Sequence, residues 1–199
     1  HVKWFNNKLA FKNELPEESI LELASFYGDI KLESEVTKIV EALPNHPLAI
    51  YWKAYLHRSN NTKANELLNK ANSASTLLIF PFRTSFIPIL QWAAQNSTSW
   101  KPNYYLALLL HDKNKKAAAL QMVTALGSTP TDAHFYGLRA VWNTRNTSTK
   151  ELDLQKAIQL AGLEKLIQKL PKGLDTEVNE DNRNFSGGEI QRITIARAL

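Results

Sequence analysis

Residues 47–73 read PLAIYWKAYLHRSNNTKANELLNKANS, and they contain two helical patterns in succession. The first half begins with a proline, which favours a helix start, and is rich in aromatic and aliphatic residues. The second half spaces Ala64, Leu68 and Ala71 three or four positions apart, so that they share one helix face. Polar residues at 58–61 separate the two patterns. The stretch therefore predicts a helical hairpin.

Comparable pairs occur on both sides of this hairpin. Residues 16–27 carry apolar residues at helical spacing and are expected to stop at Gly28 and Asp29, and residues 33–43 repeat the pattern. Farther along, aromatic-rich helices alternate with Ala/Leu-rich ones, and an extra helix precedes them. These helices are predicted at 82–95 (the extra one), 101–113, 114–130 and 131–143. The fold class is therefore all-α.

The second helices of successive hairpins align with one another. Ala64, Leu68 and Ala71 match Ala118, Met122 and Ala125 and then Lys150, Leu154 and Ala157. The last two sets lie about 32 residues apart, near the roughly 34-residue tetratricopeptide period. Residues 16–148 thus resemble the tetratricopeptide repeat family, and residues 1–148 are predicted to form such a helical hairpin solenoid. In that family small residues lie where paired helices touch, and the matching positions are Ala64, Ala71, Ala118 and Ala125, with Pro130 as the repeat-ending proline.

Four segments sharpen this resemblance: FPFR, QWAAQ, WKPNYYLALLL and AHFYGLRA. They are similar to the C-terminal arrays of large bacterial proteins of unassigned function, over residues 16–148. Stacked hairpins leave a concave surface, so the resemblance implies that a protein or peptide partner binds there. No set of nucleophile, base and orienting residue is visible, and no catalytic residue is predicted.

The aromatic residues and the histidines are candidates for a ligand-binding or metal site, but a structural role explains them better. The aromatic stripe comprises Tyr51, Trp52, Tyr55, Tyr104, Tyr105, Phe135, Tyr136 and Trp142. We expect it to form core between helices rather than a ligand cage. The histidines at 46, 57, 111 and 134 share no metal-ligand spacing, so no metal site is predicted. Arg83 is a candidate partner contact.

The net charge and the hydropathy of the chain limit the kinds of partner that it is expected to bind. The net charge of +5 is mild, and the one basic cluster, HDKNKK at 111–116, is expected to be a solvated loop rather than a nucleic-acid site. The longest apolar runs, at 77–82 and 104–110, are too short to cross a bilayer, so no transmembrane segment is predicted in the chain. The chain has no cysteine. A cytoplasmic location is expected.

The pattern of the amino-acid sequence changes at about residue 152. Apolar spacing predicts two short helices broken near Gly162, followed by a loop and a last helix. That helix begins with SGGE at 186–189, in which Ser186 and Glu189 form a capping box. Gly187 and Gly188 cost roughly 1 kcal/mol each relative to Ala, but they let an anion approach the free N–H groups at the positive end of the helix dipole.

The surrounding residues resemble the signature-motif region of ATP-binding cassette (ABC) ATPases, especially exporter-type transport ATPases. The matching residues are Leu170, Pro171, Gly173, Asp175, Thr176, Val178, Glu180, Ser186, Gly187, Gly188, Gln191, Arg192, Ala196, Arg197, Ala198 and Leu199. Two residues depart mildly: Phe185 stands for Leu, and Glu189 stands for Gln. Residues 149–199 are therefore predicted to be an incomplete nucleotide-binding domain that carries only the helical subdomain and the signature motif.

The resemblance implies that Ser186, Gly187, Gly188 and Glu189 contact ATP only in trans, with a second cassette. The Walker A loop is absent from the 199 residues, and the chain stops before a Walker B strand. Mg²⁺ is thus not expected to bind this chain, and hydrolysis by the chain alone is not expected.

Two interpretations stay open. In the first, the chain is a helical-repeat scaffold with an inactive tail, joined as a chimera near residues 150–161. In the second, it represents an ABC transporter ATP-binding protein in truncated or chimeric form, which would be associated with a membrane through its transporter.

Overall fold

The computed structural model describes residues 16–144, 146–170 and Gly188. Its helices are α1 Pro16–Asp29, α2 Glu33–Glu41, α3 Pro47–Leu56, α4 Asn61–Ser73, α5 Phe86–Gln95, α6 Lys101–Asp112, α7 Lys116–Ala125, α8 Ala133–Trp142, α9 Thr147–Leu160 and α10 Glu164–Lys169. No strand occurs in these ranges. The all-α prediction is therefore confirmed for the described residues, as is the helix break near Gly162.

Consecutive helices pair as hairpins. Helix α1 packs against α2, α3 against α4, α5 against α6, and α8 against α9, while α3 also contacts α2 and α5. The helix expected to be an extra element, α5, is thus half of a hairpin with α6. The chain forms two compact units, His1–Met122 and Val123–Leu199. The expected division at residues 148 and 149 rests on the two resemblances and stays a prediction.

Three helices begin with a side-chain cap that the sequence supplies just before the helix. Asn60 Oδ1 accepts from the Lys63 amide at 3.2 Å, and Asn146 Oδ1 accepts from the Thr149 amide at 3.1 Å. Asp132 does the same for α8 at 2.8 Å from the His134 amide. Because the first amides of a helix have no intrahelical partner, such caps fix the helix start.

Three helix ends share one motif. After α1, α6 and α9, the residues Lys31, Asn114 and Gly162 adopt positive φ angles of 63°, 59° and 65°. In each case the next amide bonds back five residues, as in Leu32 to Tyr27 at 3.0 Å. This Schellman arrangement satisfies the last carbonyls of the helix. Asn114 therefore turns the chain within the basic stretch 111–116, whose residues from 112 onward are exposed as expected.

The core of the first unit is centred on α3. This helix buries every residue from Pro47 to Trp52 together with Ala54, as expected of a helix that is apolar on all sides. Its partners contribute Ala64, Leu68 and Ala71 from α4, so the predicted inner face of this hairpin is confirmed. Small residues there let the two helices approach closely.

One sequence prediction about helix geometry is wrong, and one predicted helix end has an additional packing role. Ala118 and Ala125, expected between helices, are exposed, whereas Ala119 and Val123 are fully buried. The buried face of α7 is thus displaced from the aligned positions, because alanines on several sides of this helix give little hydrophobic contrast between its faces. Helix α1 also continues through Gly28, where an added Cβ would lie 2.8 Å from Trp52 Cζ2. The helix ends at Asp29, within the predicted stop, and Gly28 makes room for the indole ring.

Candidate functional site

The predicted ATP-contacting turn is described at a single position. Ser186, Gly187 and Glu189 lie outside the described residues. Gly188 is helical and exposed, and a Cβ built on it would meet no atom within 4 Å. The role of these four residues stays a prediction.

The aromatic stripe forms core, as predicted. Six of its eight members are at most 5% exposed: Tyr51, Trp52, Tyr104, Tyr105, Phe135 and Tyr136. The rings of Tyr51 and Tyr105 meet edge to face with centroids 6.1 Å apart, a favoured geometry for aromatic pairs. Tyr55 and Trp142 are half-buried at the margins. The stripe therefore leaves no aromatic cage for a ligand in the described ranges.

Tyr51 is the first of three side chains that are linked by hydrogen bonds inside the first unit. Its hydroxyl donates to Asn72 Oδ1 at 2.7 Å, and Asn72 Nδ2 donates to Ser97 Oγ at 2.9 Å. Burial raises the pKa of Tyr51 well above its usual value, and the neighbouring Tyr105 adds to this effect. A phenol that holds its proton this firmly serves as a structural donor and is a poor general base.

The histidines are dispersed, as the sequence indicates. His46 is buried, and its Nε2 lies 3.2 Å from Glu18 Oε1. Burial lowers the pKa of His111, and the nearby Lys116 lowers it further. Within residues 16–144 and 146–170, no three His, Asp or Glu side chains are grouped closely enough to hold a metal ion.

The Arg83 side chain contacts other residues of the first unit. Its guanidinium pairs with the Glu22 carboxylate and lies 5.0 Å from the centre of the Phe82 ring. The loop before it exposes four large apolar side chains: Leu77, Leu78, Phe80 and Phe82. In the sequence, this apolar run excluded a membrane span, and its end, FPFR, was one of the segments that carried the resemblance to helical repeat arrays. Its position between two helices, without helical spacing, was the signal for an exposed loop.

A cleft lies between the α1–α2 turn, helix α3 and the start of α5. Its volume is about 150 Å³, and its walls include Asp29, Glu33, Trp52, Tyr55 and Ser85. The Ser85 hydroxyl oxygen is buried and has no hydrogen-bond partner among the described residues. Sequence reasoning missed this cleft, because its walls come from three separated segments.

The second unit contains a buried charged cluster that the sequence did not reveal. Arg139 on α8 and Asp153 on α9 form an ion pair whose side chains are only 13% and 9% exposed. The Arg139 guanidinium also donates to the backbone oxygens of Val123 at 3.3 Å and Gly127 at 2.6 Å, where α7 ends. Within this unit, the cluster therefore joins α8, α9 and the segment 123–127. The available signal was that Asp153 lies one helical turn before the buried Ala157.

None of the described helices is long and apolar enough to cross a membrane.

Comparison with known proteins finds no matching family model and no matching solved structure. Similarity is found to parts of transporters. The chain is 51% identical to ABC transporter B family member 21 of Arabidopsis thaliana over 47 residues, which are 24% of the chain and 4% of that protein. It is 33% identical to the mitochondrial iron-sulfur clusters transporter atm1 of Aspergillus fumigatus over 95 residues, 46% of the chain and 13% of the relative.

A bacterial transporter is also similar to part of the chain. The chain is 46% identical to the ATP-dependent lipid A-core flippase of Photobacterium profundum over 52 residues, 26% of the chain and 9% of the flippase. The chain thus spans about an eighth or less of these three proteins. The comparisons support the resemblance to ABC transporters, and none of them supports the tetratricopeptide resemblance. Part of this chain is therefore similar to part of an ABC transporter.

Proposed function

We propose that the C-terminal segment of this chain is the signature part of an ABC ATPase and contacts ATP that a second cassette holds. The observation that carries the proposal is the 51% identity to an ABC transporter over 47 residues. That length is close to the span of residues 152–199, in which the signature-like sequence lies. The second of the two interpretations is therefore favoured over the scaffold with an inactive tail.

The chemistry of the site follows from the helix start. Backbone N–H groups at Gly187 and Gly188, with the positive end of the helix dipole, would stabilise the negative charge of the γ-phosphate. A few N–H groups without a lysine, a Mg²⁺ ligand or an adenine-binding surface supply too little energy to offset the cost of association. The chain alone should bind ATP negligibly and should act only when a partner cassette supplies those groups.

The test mixes the 199-residue chain with an ABC cassette that keeps its Walker A and Walker B motifs but has a disabled signature motif. ATP and Mg²⁺ should not shift the melting temperature of the chain alone, and the mixture should regain hydrolysis. Gly188→Asp should abolish this gain, because it places a carboxylate at the phosphate site. A Cβ at Gly188 meets no neighbour, so loss of folding is not expected. Ala118→Asp, at another exposed helical position, is the matched control. A mixture without hydrolysis would reject the proposal.

A second candidate function, partner binding by the hairpins of the first unit, has an observation of its own. The loop before α5 exposes four large apolar side chains within six residues, Leu77, Leu78, Phe80 and Phe82, and exposed apolar patches commonly mark an interaction surface. The tetratricopeptide assignment and the concave face belong to this proposal. Replacing Leu78 and Phe80 with serine should remove specific cross-links to a partner in extracts of the source cells. Unchanged cross-links would contradict the proposed surface.

The location follows from the first proposal. Pairing with a cassette of a transporter would hold the chain at the cytoplasmic surface of a membrane. Fractionation of cells that produce the chain should then recover it with membranes only when the partner transporter is present.

A further inference from the structure

We propose that the loop between α4 and α5 inserts its apolar tip, Leu77 and Leu78, into the interface of an anionic lipid bilayer. The inference rests on the proposed interaction role of this loop and names lipid as its partner. The observation that carries it is a pair of exposed leucines at the corner of a hydrogen-bonded turn, one of them in a backbone conformation that is unfavourable for leucine.

The tip of the loop is a tight turn over residues 76–79. The Ile79 amide donates to the backbone oxygen of Thr76 at 3.2 Å, and the Leu77 amide donates to Ser75 Oγ at 3.1 Å. Leu77 and Leu78 occupy the corner of this turn and are 54% and 66% exposed. Because the turn is already held by its own hydrogen bonds, little further ordering is needed when its side chains are buried.

The backbone of Leu78 distinguishes this turn from an ordinary connection. Its φ angle is 60°, a region that glycine and asparagine tolerate and that is costly for a leucine. A glycine or asparagine at this position would favour the turn and would expose less apolar surface. Unfavourable backbone conformations of this kind are concentrated at interaction sites. The distinguishing contribution of Leu78 is therefore its apolar side chain.

The size of the apolar tip favours a lipid surface over a protein. Phe80 and Phe82 extend the tip and are 47% and 36% exposed. These four partly exposed side chains provide well under the roughly 800 Å² that each partner buries in a standard protein complex. A bilayer interface needs no complementary shape, and binding to it increases with the apolar area inserted and with attraction to anionic lipids.

The charges beside the loop favour anionic headgroups. The charged side chains of residues 67–110 are all basic: Lys70, Arg83 and Lys101. The Lys101 ammonium donates to the backbone oxygen of Ala74, a neutral acceptor that leaves its charge in place. Arg83 is offset by Glu22, and Glu18 is the other carboxylate that lies beside Phe82. The net charge of +5 of the whole chain acts in the same direction, so anionic lipid should strengthen binding about fivefold.

Binding through this loop alone should be weak. A single myristoyl chain gives an association constant of about 10⁴ M⁻¹, and the smaller apolar tip should give about 10³ M⁻¹. Stable attachment to a membrane takes two such contributions. Pairing with a transporter cassette, as proposed above, would supply the second one. The loop would then orient the chain on the bilayer rather than hold it there by itself.

The test is co-sedimentation of the 199-residue chain with vesicles of phosphatidylcholine and phosphatidylserine at millimolar lipid. Leu77→Ser combined with Leu78→Asn should weaken binding at least about tenfold. Because asparagine tolerates a positive φ, this double variant should melt at the parent temperature or above it. Leu152→Asn, at an exposed leucine on α9, is the matched control and should bind as the parent does. A parent chain that does not sediment with the vesicles, or a double variant that sediments equally, would overturn the proposal.

A label at one position locates the contact. The chain contains no cysteine, so one introduced cysteine carries a nitrobenzoxadiazole fluorophore at a single place. The label on Leu77→Cys should shift to the blue with vesicles and should be quenched by spin-labelled lipid. The same label on Ala118→Cys, at an exposed position of α7, should do neither. An equal response from the two labels would show adsorption without a preferred surface and would contradict the assignment.

The outcomes separate this inference from the functions proposed above. If the serine variants of Leu78 and Phe80 lose a cross-linked protein while the parent does not bind vesicles, the loop binds protein and the lipid assignment fails. If the vesicles bind through the loop while the cassette mixture shows no hydrolysis, the lipid assignment stands and the signature-motif proposal fails.

Discussion

The Arg139 guanidinium donates two hydrogen bonds to the Asp153 carboxylate, from Nε to Oδ2 at 2.8 Å and from Nη2 to Oδ1 at 2.6 Å. The same guanidinium lies 5.0 Å from the ring centre of Phe135 and 5.2 Å from that of Tyr136. Its donors thus face the carboxylate and the end of α7, and its plane is covered by aromatic side chains. Two-point geometry with additional hydrogen bonds is the arrangement in which a nearly buried ion pair compensates for its desolvation.

Removal of one partner of this ion pair should be costly. Arg139→Met leaves the Asp153 carboxylate and two backbone oxygens without their donor, so we expect a loss of about 3 kcal/mol in the free energy of unfolding. Urea denaturation followed by circular dichroism measures this loss. Replacing both residues, as Arg139→Met with Asp153→Leu, should recover part of it, because no unpaired charge is then buried.

An exposed ion pair provides the control. Lys63 and Glu66 on α4 lie 3.2 Å apart in solvent, and Lys63→Met should cost less than about 1 kcal/mol. A cost for Arg139→Met as small as that for Lys63→Met would show that the buried pair contributes little to stability.

Gly28→Ala sets two effects of opposite sign against each other. In the last turn of α1, alanine should stabilise the helix by up to about 1 kcal/mol over glycine. The new Cβ would lie 2.8 Å from Trp52 Cζ2, and overpacking of this kind costs about 1–3 kcal/mol. Since Trp52 is buried and packs edge to face on Phe86 at 5.0 Å, it cannot move freely, and we expect a net loss of about 1 kcal/mol.

Making Gly28→Ala in a second parent protein tests whether the indole ring causes the loss of stability. In a Trp52→Leu variant the ring is gone, so Gly28→Ala should become neutral or stabilising when both proteins are compared by thermal unfolding. An equal loss in both backgrounds would mean that the indole ring is not the obstacle.

The sequence predicted most helices because their caps and apolar spacing are local properties. Pro47, Asn60 and Gly162 mark helix ends that can be read without any knowledge of the fold. The ion pair of Asp153 could not be predicted, because its partner Arg139 lies on the preceding helix. The packing role of Gly28 was missed for a similar reason: a glycine near a helix end and one that faces a ring look alike in sequence. The four residues of the ATP-contacting turn depend on the family resemblance and not on any contact within the described ranges.

The inner face of α7 gives a direct test of register. Ala119 is fully buried and Ala118 is exposed, although alignment with α4 favoured Ala118 as the inner residue. Ala119→Asp buries a carboxylate and should lower the free energy of unfolding by at least about 2 kcal/mol. Ala118→Asp should change it by less than about 0.5 kcal/mol. The opposite order of the two effects in urea denaturation would restore the alignment-based register.

The buried Tyr51 should make the protein sensitive to alkali. Its pKa is raised in the folded state, chiefly by burial, while an unfolded tyrosine titrates near pH 10. Below that pH both states keep the proton and the contribution of Tyr51 is complete. As the pH rises above 10, the unfolded state loses the proton first, so stability should fall by up to about 1.4 kcal/mol per pH unit through this residue.

Tyr51→Phe should change stability in opposite ways at the two ends of this range. At pH 7 it removes the 2.7 Å hydrogen bond to Asn72, and we expect a loss of about 1 kcal/mol. Between pH 10 and pH 11.5 the variant should lose less stability than the parent, because one titrating group has been removed. Urea denaturation at each pH measures both effects, with Tyr55→Phe at a half-buried position as the control. Parallel stability profiles of parent and Tyr51→Phe would show that Tyr51 is not the residue that resists ionisation.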